Sequence, residues 1–393
     1  MPLPLDGIRV LDLGISTAGP YAARFLADLG AEVIKVEPLD GENSRSLGLR
    51  YGDAGYLFHV NNYNKRSLAL RVQDPEGRRI FLALVGHADV VIENFAAGTM
   101  DNWGIGYEAC RAANPSIVYC SAKGFGESGP LRGKRAFDTV VQGLAGIMDA
   151  TGEPADPPLK GGPSVCDLLT AGASALAVVS AVVSRVPGES AFLDTALFDM
   201  GAWSLAWLWP TVDADAGGAS GAGSRIGNAH PEAAPFGVFA CRDGDLFVAG
   251  ADDAAWPALA AMLDCDPGHD AAMRKREAPA IERRLRAWLA ERPRWDAADA
   301  LQRVGVAATP VLNLADVAAL PLMGERELVT TLAHPRFGEV PLLRSPLAVA
   351  GYRRPPIREL QPTLGEDNDD VIGRLLGRAA ELPALRRARV VAP

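Results

Sequence analysis

Asp167 stands between a proline- and glycine-rich stretch, residues 151–163, and an uncharged run of 17 residues, Leu168 to Ser184. A carboxylate at the entrance to a helix can do two kinds of work. As an N-cap it accepts hydrogen bonds from the orphan amides of the first turn. As a nucleophile it is kept ionised by the helix N-terminus and attacks an electrophilic carbonyl, and Gly161 and Gly162 would leave room for a substrate backbone or thioester. Position alone leaves both readings open.

Other chemistries find less support. The five histidines, His59, His87, His230, His269 and His334, are far apart and none pairs at metal-ligand spacing, so no metal is assigned. The sequence contains no phosphate loop of the G-x-x-x-x-G-K-[ST] type, no H-E-x-x-H and no G-x-S-x-G. Glu37 ends a strand where a ribose-binding acid would sit in a dinucleotide fold. The preceding turn, however, offers Gly14, Gly19 and Pro20 in place of G-x-G-x-x-G, so a nicotinamide cofactor is not expected.

Charge and composition narrow the class further. The chain has 393 residues, a net charge of −9, 48% hydrophobic and 22% charged residues, as in an ordinary folded protein. Residues 1–135 hold fifteen Lys and Arg against fifteen Asp and Glu, so the acidic excess lies beyond them. Nucleic acid is not an expected partner, although a local basic site for a small anion near the N-terminus stays open. The run after Asp167 carries Thr170, Gly172 and three serines and falls short of the roughly 20 apolar residues of a membrane span, so a buried core helix is expected. The five cysteines show no C-x-x-C spacing, and MPLPLDGIRV has no basic n-region. Reduced thiols and a cytoplasmic location follow as expectations.

The elements that must position Asp167 alternate. Residues 8–13 read as a strand, 21–29 as a helix and 32–36 as a strand. Strands at 67–70, 90–92 and 117–121 follow, with a helix at 75–85 opened by Pro75. This is a doubly wound α/β pattern with a parallel sheet. After a strand at 191–197 and a helix holding Trp203, Trp207 and Trp209, residues 214–227 form a Gly/Ala/Ser loop. Short strands and Ala/Arg-rich helices up to about Val304 suit a smaller α+β unit. The tail returns to strands and a final helix from about Asp369, with residues 378–393 read as a solvated helix or frayed terminus.

The string Leu5-Asp6-Gly7-Ile8-Arg9-Val10-Leu11-Asp12, followed by Ala18-Gly19-Pro20 and the run from Ala27 to Pro38, resembles the N-terminus of the family III CoA-transferases. Asn64-Lys65-Arg66-Ser67, the run from Asp89 to Phe95, Gly124-Phe125-Gly126, Phe137-Asp138, Thr151-Gly152-Glu153-Pro154, Asp194, His334-Pro335 and Leu364-Gly365-Glu366 extend the resemblance in order along nearly the whole chain. The family includes formyl-CoA and carnitine CoA-transferases and shares its scaffold with α-methylacyl-CoA racemases.

The resemblance implies a Rossmann-like large domain whose parallel sheet is formed by both chain ends, residues 1–200 and 330–393. It also implies a linker at 201–227, a small α+β domain at 228–329 and an interlocked homodimer. It makes Asp167, in Pro163-Ser164-Val165-Cys166-Asp167-Leu168, the nucleophile that forms a mixed anhydride and then an aspartyl-CoA thioester. Ser16, Thr17, Ala18, Leu70, Asn94, Phe95 and Arg135 match CoA-contact segments, and Arg45, Lys65, Arg66 and Lys123 are added as phosphate partners. Pro38 and Asn102 stand where some transferases carry arginine. The partners implied are an acyl-CoA and a carboxylic acid, with no cofactor beyond CoA itself. Residues 217–223 lie in the region of a glycine lid. A racemase would need a histidine where Phe137 precedes Asp138, with His230 as the one substitute considered. Acyl-CoA binding without catalysis is the third alternative.

Overall fold

The computed structural model describes residues 2–212, 225–349 and 351–393. The lid expected at 217–223 lies outside the described residues. Two compact units emerge, one of residues 1–147, 160–207 and 324–393, the other of 148–159 and 208–323.

The first unit is built on six parallel strands: β1 (Arg9–Asp12), β2 (Glu32–Glu37), β3 (Lys65–Ala69), β4 (Val90–Glu93), β5 (Val118–Lys123) and β6 (Ala191–Ala196). They lie in the order 3-2-1-4-5-6. Their cores, such as Val10-Leu11 and Val90-Val91-Ile92, are apolar because a parallel sheet is covered on both faces. Successive residues point to opposite sides. Leu11, Ile34, Leu68 and Val91 meet Ile80, Phe81 and Leu84 of helix α3 (Pro75–Val85). Val10, Val33, Val90 and Val118 meet Ala23, Leu26 and Ala27 of helix α1 (Ala18–Asp28). Between these two helices in sequence lies a short one, α2 (Tyr56–Asn62). The strand order reverses between β1 and β4, and a doubly wound sheet opens a ligand crevice at the carboxyl ends of the strands at such a point.

Two later helices matter for the site: α4 (Asp138–Leu144) and α5 (Val165–Val183). One face of α5, with Cys166, Thr170, Ala171, Ser174, Ala175 and Val178, is buried, and Ala175 and Val178 join the core on the α1 side of the sheet. The expectation of a core helix holds for that face only. Leu176 is 69% and Val183 80% exposed on the other side. By length and composition α5 could also cross a bilayer, but Asp167 in its first turn and its keyed inner face make it a layer of the α/β unit. After β6 comes α6 (Leu197–Trp203), which stops at Trp203; Trp207 and Trp209 follow in a 3-10 helical segment instead.

The sequence reading is corrected at the C-terminus. Every strand of the large sheet comes from residues 9–196, and among the described residues the tail adds none to it. It forms a separate hairpin, Val329–His334 with Gly338–Leu343, and then covers the sheet with Val371, Ile372, Leu382 and Leu385. These side chains lie over a sheet face, so the tail acts as a cover layer rather than an edge strand. The last residues are not frayed. Val390, Val391 and Ala392 are buried, Arg71 N–H donates to the Val390 carbonyl and Ala392 N–H to that of Ala69. The final helix is interrupted where Gly377 takes φ +67°.

The second unit holds a three-stranded antiparallel sheet, β7 (Phe236–Cys241), β8 (Gly244–Ala249) and β9 (Ala308–Pro310), with β8 central. Helices α7 (Trp256–Leu263), α8 (Ala278–Ala290) and α9 (Arg294–Arg303) close its core around Trp256, Leu259, Leu285 and Leu301. Its boundaries differ from those read in the sequence. Residues 148–159 belong to it, because Gly227 N–H donates to the Gly152 carbonyl at 3.0 Å and Arg225 pairs with Asp149 at 2.9 Å.

Candidate active site

Asp167 is the third residue of α5, and the structure removes its N-cap reading. Ser164 occupies the cap position and makes no side-chain cap bond. The cap comes from α4: one oxygen of Asp138 accepts the Cys166 amide at 2.8 Å and the Asp167 amide at 3.1 Å. The other oxygen accepts the Gln142 side-chain amide, and Gln142 Oε1 accepts the Gly161 amide at 2.8 Å. The backbone that delivers Asp167 is thus fixed at both ends by two residues one turn apart on α4. The Asp167 carboxyl itself has no hydrogen-bond partner among the described residues. Burial, helped by the charge of Asp138, pushes its pKa up to about 7. Burial thus works against the ionisation that the helix N-terminus favours.

The crevice at the carboxyl end of β1 is held as tightly. Gly14, Ile15 and Ser16 each have both backbone polar groups taken by side chains. Asp12 Oδ1 accepts the Gly14 amide at 2.8 Å, and Lys35 Nζ donates to its carbonyl at 2.8 Å. Asn94 accepts the Ile15 amide at 2.7 Å and donates to its carbonyl at 2.9 Å. Glu42 accepts the Ser16 amide at 3.1 Å, and Asn61 donates to the Ser16 carbonyl at 2.9 Å. Ser16 is left-handed at φ +59°, which turns the chain into α1. Thr17 supplies no side-chain cap, so among the described residues the Ala18 and Gly19 amides have neither an intrahelical nor a capping partner. Glycine at position 19 lets the segments close up, since a Cβ would sit 3.0 Å from Gly14 Cα and 3.1 Å from Asn94 Cγ, tighter than ordinary contact.

Two of the expected segments meet. Ala18 and Cys166 share one buried cluster with Val141, Ile147 and Leu197, so the start of α1 packs beside the turn bearing Asp167. Beside the loop, Leu13, Pro38, Leu70, Phe95 and Trp103 line an apolar slot, with the Phe95 and Trp103 rings edge to face at 5.0 Å. Leu70, Asn94 and Phe95 thus lie around one crevice. Arg135 is exposed and without an ion pair among the described residues.

The four added phosphate partners are placed differently from the sequence reading. Lys65 is buried, and its three N–H bonds go to Asp12 at 2.7 Å, the Pro20 carbonyl at 2.8 Å and Asn62 at 2.9 Å, leaving no donor for a ligand. Burial lowers its pKa to about 8 against the pull of Asp12. Arg45 forks onto both oxygens of Glu37 at 2.7 Å. Arg66 is shared by Glu32, Asp367 and Asp370. Lys123 bridges both oxygens of Glu93 at 2.6 and 2.7 Å. A buried cation is tolerated only when paired, and each of the four is paired with carboxylates of the chain itself, although Lys123 and Arg45 each still line a surface cavity.

The sequence reading missed Asp138 and Gln142 as a clamp, and Lys35, Glu42 and Asn61 as holders of the loop. The i, i+4 spacing of Asp138 and Gln142 was the available signal for the first pair; nothing local marks the others. Phe137, where a racemase would carry its histidine, is 74% exposed. His230, the substitute considered, accepts the Glu232 and Ala233 amides through Nδ1 at 3.1 and 3.2 Å.

The model for "CoA-transferase family III" matches residues 5–368. An acetyl-CoA:oxalate CoA-transferase of Acetobacter aceti is 36% identical, covering 92% of this chain and 93% of its own. A succinyl-CoA:mesaconate CoA-transferase of Haloarcula hispanica is 36% identical over 84% of this chain and 86% of its own. The crystal structure of a CAIB/BAIF family protein from Brucella suis, 32% identical, superposes with a TM-score of 0.80 over 95% of this chain and 100% of that one. With the match running through both units and the Asp167 turn, the chain belongs to CoA-transferase family III and is a CoA-transferase.

Proposed function

We propose that this enzyme moves CoA from an acyl-CoA to a dicarboxylic acid through covalent intermediates on Asp167. The observation that carries the reading is a half-buried carboxyl whose backbone is fixed and whose oxygens are unpartnered among the described residues. The oxalate and mesaconate named for two relatives are both dicarboxylic acids, which supports that acceptor class.

In this reading an Asp167 oxygen attacks the thioester carbonyl, the C–S bond breaks, and the CoA thiolate leaves an aspartyl-acyl anhydride. The thiolate then attacks the Asp167 carbonyl carbon, releasing the first acid with the bridging oxygen and forming an aspartyl-CoA thioester. The acceptor carboxylate repeats these steps in reverse. The uncapped amides at the start of α1 suit the tetrahedral oxyanions, and losing one such donor would cost about 2.7–4 kcal/mol. The slot at Leu70, Phe95 and Trp103 suits the adenine, with Ser16, Thr17, Ala18, Asn94 and Arg135 along the rest of CoA. Binding energy from that remote part helps drive the reacting end.

We also propose a homodimer, interlocked as in the family. Phe137, Leu176, Val183 and Trp203 are each at least 69% exposed, a set of large apolar side chains that a second copy would cover.

The test is incubation with CoA thioesters of dicarboxylic acids, trapping with hydroxylamine and peptide mass analysis. A hydroxamate on Asp167 and CoA transfer to the acceptor are expected. Exchange of the substrate α-proton for deuterium without CoA transfer would overturn the reading in favour of racemisation. Tight binding with neither outcome would leave acyl-CoA binding alone.

A further inference from the structure

We propose that Asp138, backed by Gln142, is a positioning residue for Asp167 that holds the first turn of α5 and sets a fixed negative charge beside the nucleophile. The inference rests on Asp167 being that nucleophile. Helix α5 supplies no cap of its own, and Asp138 takes over from a neighbouring helix. Three N–H donors converge on its two oxygens, from Cys166, Asp167 and Gln142, as fits an acceptor-only carboxylate. Asp138 is itself 8% exposed, so water screens its charge poorly.

The charge has a chemical consequence. Burial first, and then the charge of Asp138 held against the Asp167 amide, oppose ionisation of Asp167 and push its pKa up to about 7. The titratable groups facing Asp167 are Asp138 from α4 and the Cys166 thiol beside it, the latter pushed up to about 12 by burial. Once Asp167 is acylated or carries CoA it is neutral, and the repulsion vanishes. An interaction unfavourable in the ground state and absent in the intermediate favours the covalent step. It also makes the Asp167 oxygen more basic than an isolated carboxylate.

The test compares the pH dependence of kcat/KM and the accumulated aspartyl-CoA for the wild type and Asp138→Asn. The substituted amide keeps an oxygen for the two backbone N–H groups but removes the charge. The variant is expected to move the acid limb down by about one pH unit. Above that limb, turnover and the Asp167 adduct are expected to fall about tenfold. Should Asp138→Asn not fold, the double variant D138N/Q142E exchanges donor and acceptor and keeps the pair joined, with the charge one helical turn further along α4. The acid limb again falls below that of the wild type. A folded variant of either kind with the wild-type limb and adduct yield would overturn the proposal. Absence of any Asp167 adduct in the wild type would instead overturn the nucleophile reading beneath it.

Discussion

Asn94 grips the Ile15 peptide by both ends, accepting from its amide at 2.7 Å and donating to its carbonyl at 2.9 Å. The two residues follow the adjacent strands β1 and β4, where the strand order of the sheet reverses, so one side chain locks the mouth of the crevice. Asn94→Ala removes both bonds, each contributing about 1 kcal/mol net. Free CoA is expected to bind about tenfold or more weakly by calorimetry, with Tm lowered by only a few degrees and the variant still folded. Unaltered CoA affinity would detach this loop from the binding site.

Lys65 separates a structural from a ligand-binding cation. Lys65→Met leaves Asp12 with Lys35 alone, at 3.7 Å, and breaks a buried pair, a change that costs about 3 kcal/mol or more. A large fall in Tm is expected. A variant as stable as the wild type with weakened CoA binding would restore the phosphate role.

Asp167 is predicted to cost stability when ionised. Its folded pKa of about 7 lies above the ordinary 3.8, so the folded state holds a proton that the unfolded chain has released between these values. The stabilising contribution is complete below about pH 4 and is lost as pH rises through 7. Asp167→Asn should therefore raise Tm at pH 8 and lose most of that advantage by pH 5. An equal Tm difference at both values would contradict the assignment.

The outward face of α5 gives a test of assembly. Leu176→Asp places a charge where a second copy is proposed to pack, and sedimentation should show the variant shifted towards monomer. A wild-type monomer at micromolar concentration would remove the dimer from the account.

Much of this architecture was legible in the chain. The apolar runs of β1, β2 and β4 and the helix opened by Pro75 follow local rules of pattern and capping, and Asp74 caps the latter by accepting the Glu76 amide at 2.9 Å. Asp167 was legible as a helix-start carboxylate, though its role came from the resemblance. What escaped depends on partners distant in sequence. Lys65 reads as a phosphate partner until Asp12 and Asn62 are seen to enclose it. Likewise the tail reads as frayed until Val391 meets Leu70. The Asp138 clamp acts across 28 residues on backbone amides, which leave no mark in the side-chain pattern.

The most direct measurement follows oxygen. If the acceptor carboxylate attacks aspartyl-CoA and the thiolate then takes the acceptor's acyl group, one acceptor oxygen stays on Asp167 in each turnover. With an acceptor acid fully labelled with heavy oxygen in ordinary water, the peptide containing Asp167 is expected to gain that oxygen within one turnover and the released acid to carry one from the enzyme. Turnover that leaves the Asp167 peptide unlabelled would contradict covalent catalysis at this residue.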